Sequence, residues 1–139
     1  MELKRYHKQM PWNKPKPEPY RNRVQDVEKQ TFYNSTAWRR LSRAYLTKQH
    51  YLCEVCAAFG TIKPAALTDH PIPIGHGGAM LDERNLMSMC AYHHNKKSGL
   101  ETNRPIVQTK QTSEGLIPID RSEVFKRLMS DTATKQNNR

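Results

Sequence analysis

Two pairs of metal-binding side chains share the same spacing in this sequence. Cys53 and Cys56 are separated by two residues, and so are Cys90 and His93. A turn with this spacing points both side chains at one ion, and two such turns supply the tetrahedral Cys3His set that structural zinc prefers. The two pairs use all three cysteines of the chain. The sequence therefore predicts a zinc site that ties two distant segments together.

The composition explains why such a site would be needed. Only 36% of the 139 residues are hydrophobic and the formal net charge is +10, so the apolar core must be small. Small domains of this kind usually recruit a metal or disulfides. The sequence contains no apolar run of about 18 residues to span a membrane, and its first residues lack the apolar stretch of a secretory signal. We therefore expect a cytoplasmic protein with reduced thiols and no membrane association.

The positive charge is concentrated in the first third of the chain. Residues 1–50 contain 12 Lys and Arg against 4 Asp and Glu, whereas residues 51–98 contain 4 of each kind. Such an excess is typical of proteins that bind polyanions, because each neutralised phosphate releases condensed counterions. Residues 1–30 also contain four prolines among their charges, which favours a largely extended arm. A basic arm that orders on DNA and a tail without a role are the two interpretations of this segment.

A helix is predicted over about 35–49. Asn34 or Ser35 provides the cap, and apolar residues then recur at helical spacing. The members of this stripe are Trp38, Leu41, Ala44 and Tyr45. Three arginines fall away from the stripe and would form a basic face. These candidate DNA contacts are Arg39, Arg40 and Arg43.

The pattern over residues 64–98 predicts a strand, a loop, a second strand and a helix. Residues 64–74 predict a short edge strand, because their prolines cannot donate to a β-ladder. A glycine-rich loop follows, and residues 86–90 predict the return strand. Residues 91–98 predict a short helix that ends near Gly99. Its Lys96 and Lys97 join the candidate phosphate contacts.

Four polar residues inside this segment are candidates for catalysis. They are Asp69, His70, Asn85 and His94. A carboxylate with a neutral imidazole suits a divalent ion such as Mg²⁺, Mn²⁺ or Zn²⁺, and it would leave positions open for water and phosphate oxygens. A second histidine can then act as general base near neutral pH.

The adjacent histidines must have different roles. Successive helix residues point about 100° apart, since a helix has roughly 3.6 residues per turn, so His93 and His94 cannot face one ion. Either gap from Cys90 is acceptable for zinc, and spacing alone does not choose between them. We favour His93 as the zinc ligand because it repeats the gap between Cys53 and Cys56.

These residues resemble the HNH endonuclease family, in its zinc-bearing bacteriophage branch with a ββα-metal fold. The resemblance runs from about Phe32 to Ser98 and rests on an ordered series of short motifs. They are Leu52-Cys-Glu-Val-Cys56, Asp69-His70-Pro-Ile-Pro73, Gly77-Gly78, Asn85-Leu86 and Cys90 with His93-His94-Asn-Lys-Lys-Ser98. The implied fold class is α+β: a small ββα-metal domain with a Cys3His zinc site, flanking helices and flexible termini.

The resemblance implies a role for each candidate residue. His70 would deprotonate the water that attacks the scissile phosphorus, and Asn85 would fix His70 by bonding to loop backbone. Asp69 and His94 would hold one divalent ion, Mg²⁺ or Mn²⁺, against the phosphate and the departing 3′ oxygen. The implied substrate is duplex DNA. A phage protein of this kind would work in the bacterial host cytoplasm, with the DNA-packaging terminase as a candidate partner.

The predicted organisation has three parts: a basic arm over 1–30, the nuclease domain over 31–100, and an extension over 101–139 with a short helix and a disordered end. The packing side of that helix would consist of Val124, Phe125, Leu128 and Met129.

The main prediction for the function is a metal-dependent DNA endonuclease. A zinc-stabilised DNA-binding module without catalysis is the alternative, and a structural zinc protein that contacts other proteins is a third reading.

Overall fold

The fold was analysed in a computed structural model that describes residues 23–101 and 103–136. The chain divides into two compact units, Met1–Ser35 and Thr36–Arg139. The first unit contains helix α1, Arg23–Tyr33. The predicted extended arm is therefore helical from residue 23, and the rest of that prediction lies outside the described residues. No helix in the described part of the chain is long and apolar enough to cross a membrane.

The second unit has the predicted α+β class. Its helices are α2 Thr36–Lys48, α3 Glu54–Ala58, α4 Ala91–Leu100 and α5 Ser122–Gln136. Its strands are β1 Leu67–Asp69, β2 Met87–Met89, β3 Thr109–Thr112 and β4 Gly115–Pro118. The strands form two antiparallel pairs, β1 with β2 and β3 with β4. Together β1, β2 and α4 make the ββα arrangement that the sequence predicted.

The register of β1 and β2 places the catalytic candidates at one end of the small sheet. Asp69 is the last residue of β1 and pairs with Met87 at the start of β2. His70 follows directly, where Pro71 prevents the strand from continuing as a ladder. The connecting loop returns through two short 3₁₀ turns, Ile74–His76 and Glu83–Asn85. The first turn ends at Gly77, whose φ of +89° suits glycine.

The segment after residue 100 belongs to the same unit as the ββα motif. Helix α5 packs against α3 and α4 and buries Val124 and Leu128 completely. The predicted boundary at residue 100 therefore differs from the structure, because these side chains complete the core. Met129, which the predicted stripe included, is about half exposed.

The β3/β4 hairpin, which the sequence did not predict, supports the loop between β1 and β2. Its Leu116 exchanges two backbone hydrogen bonds with the loop, since Leu116 N–H donates to Gly77 O at 2.9 Å and Ala79 N–H donates to Leu116 O at 2.9 Å. Gly115 permits this approach: it has a φ of +127°, and a Cβ there would lie 2.8 Å from Ala79 Cα. The hairpin therefore fixes the middle of the loop by direct pairing.

Arg121 joins this C-terminal segment to α2 and α3. Its guanidinium donates to Glu54 at 2.8 Å and to the Tyr45 hydroxyl at 2.7 Å. The other Glu54 oxygen accepts the Tyr45 hydroxyl and the Ser88 N–H, at 2.8 and 2.7 Å. Burial raises the pKa of Tyr45 to about 12, so the phenol stays a hydrogen-bond donor. One carboxylate therefore links α2, α3 and β2 with residues beyond 100.

Candidate active site and metal centre

The two spaced pairs meet in one cluster. Cys53 caps α3, Cys90 caps α4, and Cys56 and His93 lie in the first turns of these helices. The Cys56 and Cys90 sulfurs are 3.8 Å apart, and His93 Nδ1 lies 3.4 Å from each of them and 3.9 Å from Cys53 Sγ. Tetrahedral zinc with ordinary bond lengths would need about 3.8 Å between sulfurs and about 3.6 Å between sulfur and nitrogen. The donor set therefore fits one tetrahedral ion.

The ionisation of the cluster also favours a cation. Burial raises the pKa of Cys56 to about 12, with a further contribution from its hydrogen bond to Cys53. For Cys90, burial alone would raise the pKa, but hydrogen bonds from the His93 backbone and the other cysteines outweigh it and lower the pKa. Burial lowers the pKa of His93 and keeps its imidazole neutral. If these thiols ionised together they would repel one another, and a cation bound among them would offset that repulsion.

The structure distinguishes the two adjacent histidines. His93 is buried in the cysteine cluster, as favoured from the spacing. His94 points to another side of α4, where its Nε2 lies 3.7 Å from Asp69 Oδ1. His93 of the metal cluster and the catalytic candidate His94 are therefore neighbours on α4 that face different sides of the helix.

Asp69 and His94 form a partly exposed pair at the end of β1. Their side chains are 17% and 32% exposed. Two ligands of one divalent ion, each at about 2.1 Å, lie about 3.0 to 3.6 Å apart for angles between right and trigonal. The observed 3.7 Å is close to that range and too long for a hydrogen bond. These two side chains could hold a divalent ion with open positions toward solvent.

His70 is held in one orientation by its surroundings. Its Nε2 lies 3.0 Å from the Met80 carbonyl oxygen, and the Trp38 ring stacks on the imidazole at 4.7 Å between centroids. A carbonyl can only accept, so Nε2 carries the proton and the lone pair of the neutral ring is on Nδ1. Burial lowers the pKa of His70, although the Met80 carbonyl and Asp69 act in the other direction. The neutral imidazole is thus prepared to accept a proton.

Asn85 fastens the loop that carries Met80. Its Nδ2 donates to the carbonyl oxygens of Ile72 and Ala79, both at 2.9 Å, and its Oδ1 accepts the Ile72 N–H at 2.9 Å. The side chain is fully buried. Gly78 makes room for it, because a Cβ on Gly78 would collide with the Ile72 carbonyl and lie 2.8 Å from Asn85 Nδ2. The start of the loop, next to His70, and its middle, next to Met80, are therefore joined through one side chain.

Residues 53–99 match the family model of the HNH endonuclease. The resemblance of this segment to the HNH endonuclease family is therefore confirmed. The family match is shorter than the resemblance seen from Phe32, and it contains both the cysteine cluster and the catalytic candidates. Among curated proteins none matches the chain. Among solved structures the chain is similar to the deep-sea thermophilic bacteriophage GVE2 HNH endonuclease with manganese ion, with 29% identity, 62% of this chain and 95% of that chain covered, and a TM-score of 0.49.

The basic residues predicted near the HNH segment differ in their exposure. Arg39, Arg40 and Arg43 are exposed and line one surface depression on α2. Trp38 on the same helix stacks on His70, so the helix that carries this surface also contacts one of the catalytic candidates. Lys96 is half-buried and donates to the Leu128 carbonyl at 2.8 Å, joining α4 to α5.

Lys97 was predicted as a phosphate contact, but in the structure it is buried. Its side chain is 1% exposed, with its ammonium 2.8 Å from Asp69 and 2.6 Å from Glu101. A lysine four positions from a glutamate on a helix is a common surface pair, so no local pattern indicated that Lys97 is buried. The burial arises from α4 packing on the end of β1.

The sequence patterns also missed the groups that orient His70. The Met80 carbonyl is a backbone atom, and no side-chain pattern marks it. Trp38 was predicted as a core residue, and it is 7% exposed, but its stacking partner His70 lies in a distant part of the sequence. A tryptophan in the first turn of a helix with a basic face was the sequence signal that could have pointed to a contact with the candidate site.

Proposed function

We propose that this protein is a metal-dependent endonuclease that hydrolyses phosphodiester bonds of duplex DNA. The observation that carries the proposal is the arrangement around His70. Its Nε2–H donates a hydrogen bond to the Met80 carbonyl, and it directly follows Asp69, which is paired with His94. A neutral imidazole with Nδ1 as its basic atom suits a general base. The match of residues 53–99 to the HNH endonuclease family supports a nuclease activity.

In this mechanism His70 Nδ1 takes a proton from the attacking water. The water oxygen forms a bond to phosphorus while the bond from phosphorus to the 3′ oxygen breaks, and solvent supplies the proton for the departing oxygen. The hydrogen bond to Met80 and the stacked Trp38 ring hold the imidazole in one orientation. A fixed base avoids the entropy cost of aligning it at the moment of reaction.

The donor chemistry of Asp69 and His94 fits a divalent cation such as Mg²⁺ or Mn²⁺. One carboxylate oxygen and one imidazole nitrogen 3.7 Å apart leave most coordination positions to water and phosphate. A cation bound there would stabilise negative charge on the phosphate and on the departing 3′ oxygen. Cys53, Cys56, Cys90 and His93 would bind structural zinc, which keeps α4 in place for His94.

The arginines of α2 would hold the DNA backbone next to the site. Arg39, Arg40 and Arg43 are exposed on the helix whose Trp38 contacts His70. Contacts to phosphates position a duplex without reading its sequence. Binding is therefore expected to weaken steeply with salt. Lys96, which is half-buried on α4, would add a further phosphate contact.

A plasmid assay tests the proposal. Supercoiled plasmid is incubated with the zinc-loaded full chain in Mg²⁺ or Mn²⁺, and with chelator at a concentration that spares the zinc. We expect nicked or linear product, suppressed by the chelator and reduced at least a hundredfold in His70→Ala. His50→Asn is the matched control, since it removes an exposed imidazole and asparagine tolerates its φ of 55°. Salt-sensitive binding with no cleavage in any divalent ion would favour the non-catalytic DNA-binding module instead.

The biological setting follows from the resemblance alone and has its own test. We propose action on phage DNA in the bacterial host cytoplasm, with the terminase as partner in DNA packaging. Nicking assays with and without purified terminase subunits would reveal the partnership as a change in rate or in cleavage position. An unchanged rate and position, with no co-purification, would contradict it.

A further inference from the structure

Lys97 makes three hydrogen bonds inside the protein. Its ammonium donates to Asp69 Oδ2 at 2.8 Å, to Glu101 Oε1 at 2.6 Å and to the His70 carbonyl oxygen at 3.0 Å. An ammonium has three N–H donors, so these acceptors satisfy it completely. The side chain is 1% exposed, and Lys97 therefore contacts protein groups where an ordinary surface lysine would contact water or phosphate.

The cost of burying this charge indicates that its position matters. A buried ammonium loses several kcal/mol of solvation, and only close carboxylates with good geometry offset the loss. Asp69 and Glu101 supply them, but at a further cost, because Glu101 Oε2 is buried without a hydrogen-bond partner in the described part of the chain. Burial raises the pKa of Glu101 accordingly. A methionine of similar size would avoid the desolvation of the ammonium, but it would leave Asp69 and Glu101 without their counter-charge.

The bond from Lys97 assigns different roles to the two oxygens of Asp69. Oδ2 is occupied by the ammonium, whereas Oδ1 faces His94 Nε2 at 3.7 Å. A carboxylate with both oxygens available can bind a divalent ion through both of them. Lys97 prevents this mode, and it also reduces the negative charge that the ion would meet.

We propose that Lys97 is a positioning residue that makes Asp69 a ligand through Oδ1 alone. Its bond to the His70 carbonyl oxygen also fixes the backbone of His70, so the candidate base and the candidate metal ligand are held by one ammonium. The inference rests on the proposed function of Asp69 as a metal ligand. It predicts that Lys97 weakens ion binding and improves turnover at the same time.

The test separates ion affinity from turnover. Mn²⁺ binding to the zinc-loaded full chain is measured by the loss of the free-ion electron paramagnetic resonance signal, and plasmid nicking is measured on the same samples. Lys97→Met should bind Mn²⁺ at least fivefold more tightly and nick at least tenfold more slowly, with zinc content unchanged. Lys126→Met, which removes an exposed lysine on α5, should match the parent in both measurements.

A second variant covers the case in which Lys97→Met does not fold, because Glu101 is then left without its counter-charge. Lys97→Met combined with Glu101→Gln removes both charges and should show the same opposite changes in affinity and turnover. Weaker or unchanged Mn²⁺ binding in the folded variants would overturn the proposal, because a purely structural lysine would not tighten an ion site. If the parent binds Mn²⁺ but does not nick DNA, the proposed function fails, while the Mn²⁺ affinities still decide the role of Lys97.

Discussion

Replacement of Asn85 by alanine is the most informative change in the loop between β1 and β2. It removes three hydrogen bonds, all at 2.9 Å and all fully buried. The Ile72 N–H and the carbonyls of Ile72 and Ala79 would then have to find other partners or stay unsatisfied. The methyl group that remains cannot bond to any of them.

The expected loss of stability follows from these three groups. A typical buried hydrogen bond contributes about 1 kcal/mol net, and an unsatisfied buried group costs about 1 to 3 kcal/mol. Some relaxation or entry of water is expected, so Asn85→Ala should lower the free energy of unfolding by about 3 to 5 kcal/mol. This is a large part of the roughly 5 to 15 kcal/mol that holds a domain together.

Urea unfolding of the zinc-loaded protein measures this loss, with tryptophan fluorescence as the signal. Asn95→Ala is the matched control, because Asn95 is exposed on α4 and its replacement should cost no more than about 0.5 kcal/mol. At low urea, where Asn85→Ala is still folded, plasmid nicking should fall at least tenfold because Met80 no longer holds His70. A stability loss below about 1 kcal/mol, or full nicking activity in the folded variant, would refute the role assigned to Asn85.

Three further predictions concern the zinc site, the hairpin and the basic surface. Cys53→Ser should release about one zinc per chain and lower the melting temperature, as measured by metal analysis and calorimetry; full zinc retention would contradict the cluster. Gly115→Ala should destabilise the protein by about 1 to 3 kcal/mol in urea unfolding, since its Cβ would press on Ala79 at a φ that alanine avoids; an unchanged midpoint would contradict the contact. Arg40→Gln with Arg43→Gln should reduce the slope of log affinity against log salt by about 2 in DNA binding titrations, and an unchanged slope would exclude both as phosphate contacts.

The local elements could be predicted from the sequence because their signals are local. The helical spacing of Trp38 and Tyr45 located α2 within one or two residues of its observed ends. The strand predicted over 64–74 includes β1 but runs five residues too far, because Pro71 ends the ladder after Asp69 and His70. The Cys53/Cys56 and Cys90/His93 pairs identified the cluster. Each of these patterns depends on backbone preference or ligand spacing within a short segment.

The contacts between distant segments could not be predicted in the same way. The β3/β4 hairpin is short and mostly polar, and its role depends on pairing with Gly77 and Ala79 far earlier in the chain. The burial of Lys97 depends on how α4 packs against β1, which no periodicity encodes. Arg121 was part of a tail without expected chemistry, yet it bonds to Glu54 in the first turn of α3.

The division of work between His93 and His94 is the central claim. One measurement tests it directly: zinc per chain and plasmid nicking rate in His93→Ala and His94→Ala, prepared in parallel. We predict that His94→Ala keeps its zinc and loses at least a hundredfold in nicking, whereas His93→Ala loses zinc. Loss of zinc in His94→Ala with retention in His93→Ala would contradict the account.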